Sequence, residues 1–455
     1  YLESDDPIYD HYYMKNGQKK YICLDSVYLS FPLRFSHIAK TVANTLELSG
    51  KFRTGEIKHT YMGGYSFVAL NRTSYSGYNL GDDVQGPGLY SHVSVYDPHS
   101  MGYMTSKFSK ATVTHHYSNS LYLQDMVEFN EQWKVLAALR YDFFRYMSAS
   151  ATTPTGRREY EEHSSFNMIK NKALTYRFGA VYLPHPNTSI YASFASFFKP
   201  IRTFYQDNVI YVGGDGNRFE PARNEEVFKP EKAEVGLKYQ LNNILSANAS
   251  LFYIRKMNST ATLTNNYQEE VNGETTTMSV IGQVGVQDSK GFDFDVTLSP
   301  VSTLALTIGY GLNDSKIREM KEIKDPELIE AIYGNNPDET KQQLNSQEGN
   351  WQSNVPNQTF YAYGSYTIPR GVLKNLEFHL SSSYTGKVYR NTSNNSWFDP
   401  YWVTDFGMSY LLNNNIHLTF NLNNLFDNNY YNQALGQQMV PSMPRNFQVA
   451  ISYTL

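Results

Sequence analysis

The sequence predicts an all-β chain, an antiparallel transmembrane β-barrel, on three observations. Apolar and polar residues alternate at period two in segment after segment, which gives each strand one apolar and one polar face. The connections take turns, very short and then long and polar, so an antiparallel sheet would carry every long loop at one end. Aromatics make up 15% of the 455 residues, with 38 Tyr and 26 Phe, while only 18% are charged, below the about 25% of ordinary globular chains.

A weak segment at 27–35 opens the series, and segments 41–52 and 57–70 flank the turn Arg53-Thr54-Gly55-Glu56. In the pair 118–130 and 133–147, Trp133, Val135, Ala137, Leu139 and Tyr141 alternate with Lys134, Leu136, Ala138, Arg140 and Asp142. Segments 172–183 and 188–198 flank Pro184-His185-Pro186-Asn187. Segment 231–241 sets Val235, Leu237, Tyr239 and Leu241 against Glu234, Gly236, Lys238 and Gln240, and 244–257 follows a turn at 241–243. Segment 279–299 interleaves Phe292, Phe294, Val296 and Leu298 with Asp293, Asp295 and Thr297. After Ser299-Pro300-Val301-Ser302, segment 303–314 interleaves Leu304, Leu306, Ile308, Tyr310 and Leu312 with Ala305, Thr307, Gly309 and Gly311. Segments 356–368 and 374–387 flank a turn at 369–373, and 401–411 and 416–423 flank 412–415. The last segment, 444–455, alternates Phe447, Val449, Ile451, Tyr453 and Leu455 with Gln448, Ala450, Ser452 and Thr454. The sum is fifteen or sixteen strands.

The long connections are 71–117, 148–171, 199–230, 258–278, 315–355, 388–400 and 424–443. Soluble domains rarely hold structureless loops beyond about 15 residues, let alone a series at one end. Only a closed barrel lets strands cross lipid with every backbone group paired, so the apolar face reads as lipid-facing and the polar face as a wet lumen. Aromatics near strand ends (Tyr141, Phe143, Phe144, Tyr146; Tyr191, Phe194, Phe197, Phe198; Tyr361, Tyr363, Tyr366; Tyr401, Trp402) read as interfacial girdles. Within 315–355, Leu328, Ile329 and Ile332 fall at helical spacing behind Pro326, which predicts a short surface helix, either a cap over the lumen or a docking surface for a lipoprotein.

Several classes drop out. No run reaches about 18 apolar residues, so no transmembrane helix is expected. The single Cys23 excludes a disulfide framework, and a net charge of −4 without a basic stripe argues against nucleic acid. No catalytic motif stands out, so the chain is not expected to be an enzyme. His115 and His116, being adjacent, would point to opposite faces of a strand rather than share a metal. The chain begins with Tyr and shows no signal peptide, which reads as a processed or truncated piece.

Specific residues then carry a resemblance. Leu121-Tyr122-Leu123-Gln124-Asp125, followed by Trp133 and Arg140-Tyr141-Asp142, resembles a hairpin of TonB-dependent siderophore receptors, with Ala138 where that family usually has Gly. Tyr176-Arg177-Phe178-Gly179 with Ile190-Tyr191-Ala192-Ser193-Phe194 and Phe198-Lys199-Pro200 resembles the next hairpin. Lys229-Pro230-Glu231 with Glu234-Val235-Gly236-Leu237-Lys238, and Ser289-Lys290-Gly291-Phe292-Asp293, match further family strands, Asp293 replacing the usual Glu. Asn423-Asn424-Leu425-Phe426-Asp427, Tyr430-Tyr431 and Pro444-Arg445 resemble its C-terminal signature, although Leu455 stands where the family usually ends in Phe. Gly50-Lys51-Phe52, Thr54-Gly55, Ile57, His59 and Val95-Tyr96-Asp97-Pro98 resemble the ferrichrome-type branch.

The resemblance spans about 40–455 and implies that residues 1–455 are the C-terminal portion of one receptor barrel, of 22 strands when complete, with the N-terminal plug missing here. It implies import of a ferric siderophore with energy transmitted from the TonB complex through that plug. Iron would arrive as a chelate, with no protein metal site or cofactor. Further partners would be outer-membrane lipid and a possible surface lipoprotein. A glycan importer of the same architecture and a 16-stranded passive porin remain alternatives. A ferric chelate presents an apolar disc with anionic oxygens, which suits aromatic faces and cations. Loop position then nominates Tyr75, Tyr78, Tyr90, Tyr96, Arg202, Phe204, Tyr205, Tyr211, Arg218, Trp351, Trp397, Tyr430 and Tyr431 as ligand contacts.

Overall fold

The computed structural model describes residues 12–15, 18–21, 26–28, 33–78, 92–94, 96, 108–153, 155, 157–158, 166–198, 209–212, 217–219, 230–271, 274–320, 323–333, 347–413, 415–435 and 438–454. The chain divides into two compact units. One comprises Tyr1–Asn44, Phe67–Ser118 and Arg145–Met168, and the other Thr45–Ser66, Asn119–Phe144 and Ile169–Leu455.

Among the described residues, the closed sheet takes in two short strands, Val209–Val212 and Arg218–Phe219, and fifteen longer strands that run around it in chain order. They are β1 (Leu33–Thr54), β2 (Ile57–Tyr78), β3 (Lys110–Glu128), β4 (Trp133–Thr152), β5 (Asn167–His185), β6 (Thr188–Ser196), β7 (Pro230–Leu241), β8 (Leu245–Val271), β9 (Glu274–Val301), β10 (Leu304–Met320), β11 (Gln358–Thr367), β12 (Leu376–Thr385), β13 (Tyr401–Leu411), β14 (Ile416–Asn423) and β15 (Asn446–Tyr453). Neighbours follow chain order, and β15 lies beside β1. Among the described residues the sheet closes on itself, the arrangement that lets strands cross lipid. The short turns are built as their residues demand: Gly55 and Gly371 take positive φ, and Asn130 and Asn413 accept backbone N–H bonds two and three residues on.

The strand count meets the expectation, with three local differences. Within the weak segment 27–35, the described strand Ser26–Tyr28 pairs with His92–Ser94 in a small separate sheet, and β1 begins at Leu33. The connection 258–278 is not a loop: β8 and β9 stay paired up to Val271↔Glu274. Above the lipid both strand faces are polar, so alternation fades while the backbone ladder continues. For the same reason β2, β3, β4 and β10 each run several residues into the connections expected at 71–117, 148–171 and 315–355.

The register sorts the faces. Phe292, Ile308 and Leu312 share one face with exposed Leu251 and Phe294, while Asp293, Gly309, Gly311 and Thr307 share the other. This corrects the girdle reading. Tyr141, Phe143, Phe194, Tyr366 and Trp402 lie on the apolar face. Tyr191, Tyr361, Tyr363 and Tyr401 instead lie on the lumen face, because they pair with or alternate beside the polar set, as in Gly309↔Tyr361, Thr307↔Tyr363 and Tyr191↔Gly236.

The predicted helix is present as α1 (Pro326–Tyr333). Asp325 caps it, its Oδ1 accepting the Leu328 N–H at 3.1 Å. Leu328 is fully buried in a hydrophobic cluster with Ile210, Val212, Tyr267, Val280, Ile317, Met320 and Ile323. The helix is therefore packed down by an apolar anchor as well as solvated on its outer side.

Candidate functional site

The candidate site is a patch of aromatic rings and cations on the lumen face of β11, β12 and β13 and on the hairpin above them. That hairpin pairs Val388↔Phe398 and Tyr389↔Trp397 and continues the β12–β13 register of Tyr384↔Trp402 and Thr385↔Tyr401. Strand alternation thus places Tyr389, Trp397 and Tyr401 on the lumen face, and Val388 and Phe398 on the outward one.

Lys387 is held among these rings. Its Nζ lies 3.8 Å from the Trp397 ring centroid and 4.5 Å from that of Tyr389, within cation–π range of both. Tyr401 and Tyr430 stack at 4.1 Å. Burial, then the neighbouring Tyr401 and Asp405, pushes the Tyr430 phenol above its ordinary pKa, which keeps it neutral. Further down the lumen face Tyr361 and Tyr363 are solvent-accessible, and His379 stacks on Tyr363 at 6.3 Å. Flat apolar surfaces, hydroxyl donors and a fixed ammonium are the groups that hold a bulky chelate with anionic oxygens.

Across the lumen wall, two cavities of about 540 and 510 Å³ lie between β3 and β7 and between β1 and β6. Their lining includes Lys134, Arg177, Tyr191, Lys232, Glu234 and Lys238 in one, and Glu47, Tyr122, Arg140 and Arg177 in the other. Tyr191 donates to Glu234 at 2.7 Å, Lys232 pairs with Glu234, Tyr122 donates to Glu47 at 3.1 Å, and Arg140 pairs with buried Asp142 at 3.0 Å. Paired charges of this kind suit a polar channel wall.

The expected ligand contacts distribute unevenly. Trp397 and Tyr430 belong to the patch. Trp351 sits at its rim: it bridges to Lys316, whose Nζ lies 4.7 Å over the indole, and its ring reaches Tyr389 at 6.5 Å. Tyr431 stacks on Phe398 at 5.6 Å and so belongs to the outward side. Arg218 is engaged by the protein itself, by Glu269 at 3.1 Å, Asp325 at 3.0 Å, Glu327 at 3.3 Å and the Tyr267 hydroxyl at 2.6 Å. Tyr211 is buried within Val209–Val212, which pairs in parallel with Ser279–Gly282. Tyr75 is buried against Phe108, and Tyr96 is exposed. Tyr90, Arg202, Phe204, Tyr205 and the Tyr78 side chain lie outside the described residues.

Sequence reasoning missed Lys387, Tyr389, Tyr361, Tyr363 and His379. A signal existed: in 358–367 aromatic residues occupy both parities, and only one parity can face lipid. His115 and His116 take separate surroundings, His115 Nδ1 at 2.7 Å from Asn71 Oδ1 and His116 beside Tyr146. Among the described residues, no three His, Cys, Asp or Glu side chains gather as a metal site.

Residues 5–425 match the family model described as TonB dependent receptor-like, beta-barrel. The chain is 26% identical over 419 residues to the probable TonB-dependent siderophore receptor PiuA of Acinetobacter baumannii, covering 87% of this chain and 50% of that protein. It is 22% identical over 434 residues to the catecholate siderophore receptor Fiu of Escherichia coli K12, covering 90% and 50% respectively. The crystal structure of PiuA superposes with a TM-score of 0.66 at 20% identity over 92% of this chain and 56% of that one, which establishes the shared fold. The chain spans about half the length of the curated relatives it matches.

Proposed function

The chain belongs to the TonB-dependent receptor-like β-barrel family, a family of outer-membrane barrels, and on that premise we propose that it is the barrel portion of a receptor importing a ferric siderophore with TonB-transmitted energy. The observation that carries this reading is the patch in which Lys387 lies against Trp397 and Tyr389 above the lumen-facing Tyr361 and Tyr363. An anionic chelate with an aromatic or apolar body meets complementary groups there. Relatives named as siderophore receptors support the same substrate class, and none of the relatives cited is an enzyme.

The ferrichrome-type resemblance belongs to this proposal as its finer part. Its motif around Phe52 and His59 packs at the short-turn end, where the two rings stack at 4.4 Å and His59 lies 2.8 Å from Asp125. That position says nothing about the ligand, and the branch rests on the sequence resemblance alone. Contacts with outer-membrane lipid and a surface lipoprotein also stand as proposals. The family match and these relatives favour the siderophore reading over a passive porin or a glycan importer.

The test is growth of a deletion strain on single ferric chelates and on glycans, with complementation by the full-length gene. Loss of growth on at least one chelate, restored by the gene, is expected. Normal growth on every chelate with a defect on glycans would overturn the substrate class.

A further inference from the structure

At the rim of the lumen patch a side-chain amide takes the place of a neighbouring strand. Residues 347–352 lie against the upper part of β10. The Ile317 N–H donates to the Asn350 carbonyl at 2.8 Å and the Gln352 N–H to the Ser315 carbonyl at 3.0 Å, so Trp351 bridges Lys316 in the antiparallel sense. In an antiparallel ladder, the residue between two such bonds turns its own N–H and C=O to the opposite side. Both backbone groups of Trp351 therefore point away from β10, where they need another partner.

Asn394 partners both groups, from the tip of the hairpin that carries Tyr389 and Trp397. Its Oδ1 accepts the Trp351 N–H at 2.6 Å, and its Nδ2 donates to the Trp351 carbonyl at 2.9 Å. A carboxamide offers the donor and the acceptor of a peptide group, and among side chains only Asn and Gln carry one. The backbone favours Asn of the two: residue 394 has φ 54°, in the left-handed region that Asn tolerates and longer side chains avoid. Asn394 Nδ2 also donates to the Asn391 carbonyl at 3.0 Å, which closes the tip of the hairpin on itself.

The clamp reaches the patch through one ring. The Trp351 indole stacks on Tyr389 with its plane 19° from parallel, and Lys387 Nζ lies 4.5 Å from the Tyr389 centroid. Two further bonds join the same loop to the same hairpin. The Asn354 N–H donates to the Tyr389 carbonyl at 2.8 Å, and Asn350 Nδ2 donates to the Thr392 carbonyl at 2.9 Å. Of these contacts, those of Asn394 hold the backbone of the tryptophan itself.

We propose that Asn394 is a positioning residue of the chelate site: it fixes the Trp351 backbone so that the indole backs Tyr389, and through that ring it sets the Lys387 ammonium. The role rests on the ferric-chelate reading above. A ligand that meets a ring and a cation already in place gives up less free energy to ordering them, and releasing Trp351 removes that advantage. Asn394 acts through Trp351 and requires no contact with the ligand.

The test is a double-variant cycle in full-length receptor, read by isothermal titration with two probes, an anionic iron(III) tris-catecholate and a neutral iron(III) tris-hydroxamate. Asn394→Gly keeps the left-handed backbone without strain and removes the clamp. It is expected to weaken whichever probe wild type binds by about five- to tenfold, the scale of one net hydrogen bond or slightly more. Trp351→Ala leaves the backbone at 351 for Asn394 to hold but removes the indole. Adding Asn394→Gly to Trp351→Ala is then expected to change affinity by less than about twofold, because the two residues act through one another. An equal loss in both backgrounds would mean that Asn394 serves the hairpin alone and overturns the proposal, as does wild-type affinity in Asn394→Gly. Hydrogen exchange over residues 347–353, measured without ligand, reads the clamp by itself. It is expected to quicken in Asn394→Gly, and unchanged exchange also overturns the proposal. Wild type that binds neither probe, with the exchange difference intact, would overturn the chelate reading and the positioning role with it while leaving the clamp standing, so the two failures remain distinguishable.

Discussion

The ring of Tyr361 occupies the space that a side chain on Gly309 would need. The two residues face each other across β10 and β11, so glycine at 309 is what lets a large ring lie flat on the lumen wall. Gly309→Val is expected to push Tyr361 into the lumen and to cost about 1–3 kcal/mol through overpacking. Adding Tyr361→Ala should recover most of that loss. Thermal unfolding of the single and double variants checks the pair, and a neutral Gly309→Val would show that the ring is not confined.

Arg218 is expected to act as a strut rather than a ligand contact. Burial alone would lower its pKa, but the Tyr267 hydroxyl and then Asp325 and Glu269 outweigh it and hold the pKa above the ordinary value. Arg218→Met should leave Glu269 and Asp325 unneutralised and loosen α1 locally by about 2 kcal/mol, with little from exposed Glu327. Hydrogen exchange should quicken at 326–333 while the barrel's melting temperature and chelate affinity stay near wild type. A tenfold loss of affinity would return Arg218 to the ligand site.

Much of the wall was legible because lipid imposes a strict rule. One face must be apolar, so Leu304, Leu306, Ile308 and Leu312 announce both the strand and its orientation. The rule lapses above the membrane, where Ser259 through Val271 remain paired with no apolar parity to reveal it. The same lapse hid the site. Tyr361 and Tyr363 look like girdle residues by position, and only the register with Thr307 and Gly309 assigns them to the lumen. Arg218 failed for a different reason: a cation in a loop reads as available until its carboxylate partners, up to 109 positions away in the chain, are located.

Tyr430 supplies a pH signature. Its phenol is held above the ordinary tyrosine value by burial, then by Tyr401 and Asp405, so the neutral form is favoured in the folded state. A group with a raised folded pKa contributes stability that is fully present below the unfolded value, about 10, and is lost as pH rises through the folded value. The Tyr401–Tyr430 stack should therefore persist to pH 10 and weaken above it. Ultraviolet titration of wild type against Tyr430→Phe checks this, and a Tyr430 midpoint at or below 10 would contradict it.

Lys387 gives the sharpest test of the lumen patch, because its charge and its rings can be removed separately. Trp397 and Tyr389 fix the ammonium, and an anionic chelate would gain from a cation that needs no reordering on binding. Lys387→Gln keeps most of the side chain's length but removes the charge, and should weaken binding of an anionic ferric chelate about tenfold, with a shallower dependence on salt. Trp397→Ala keeps the charge but frees the lysine and removes a stacking face, so it should weaken anionic and neutral chelates alike. Combining the two should cost less than the product of the single effects, because the ring and the ammonium act through one another. Tryptophan fluorescence cannot report on Trp397→Ala, so isothermal titration of each variant is the measurement. If Lys387→Gln weakens neutral and anionic chelates equally, the ammonium serves the packing of the hairpin and not the charge of the ligand.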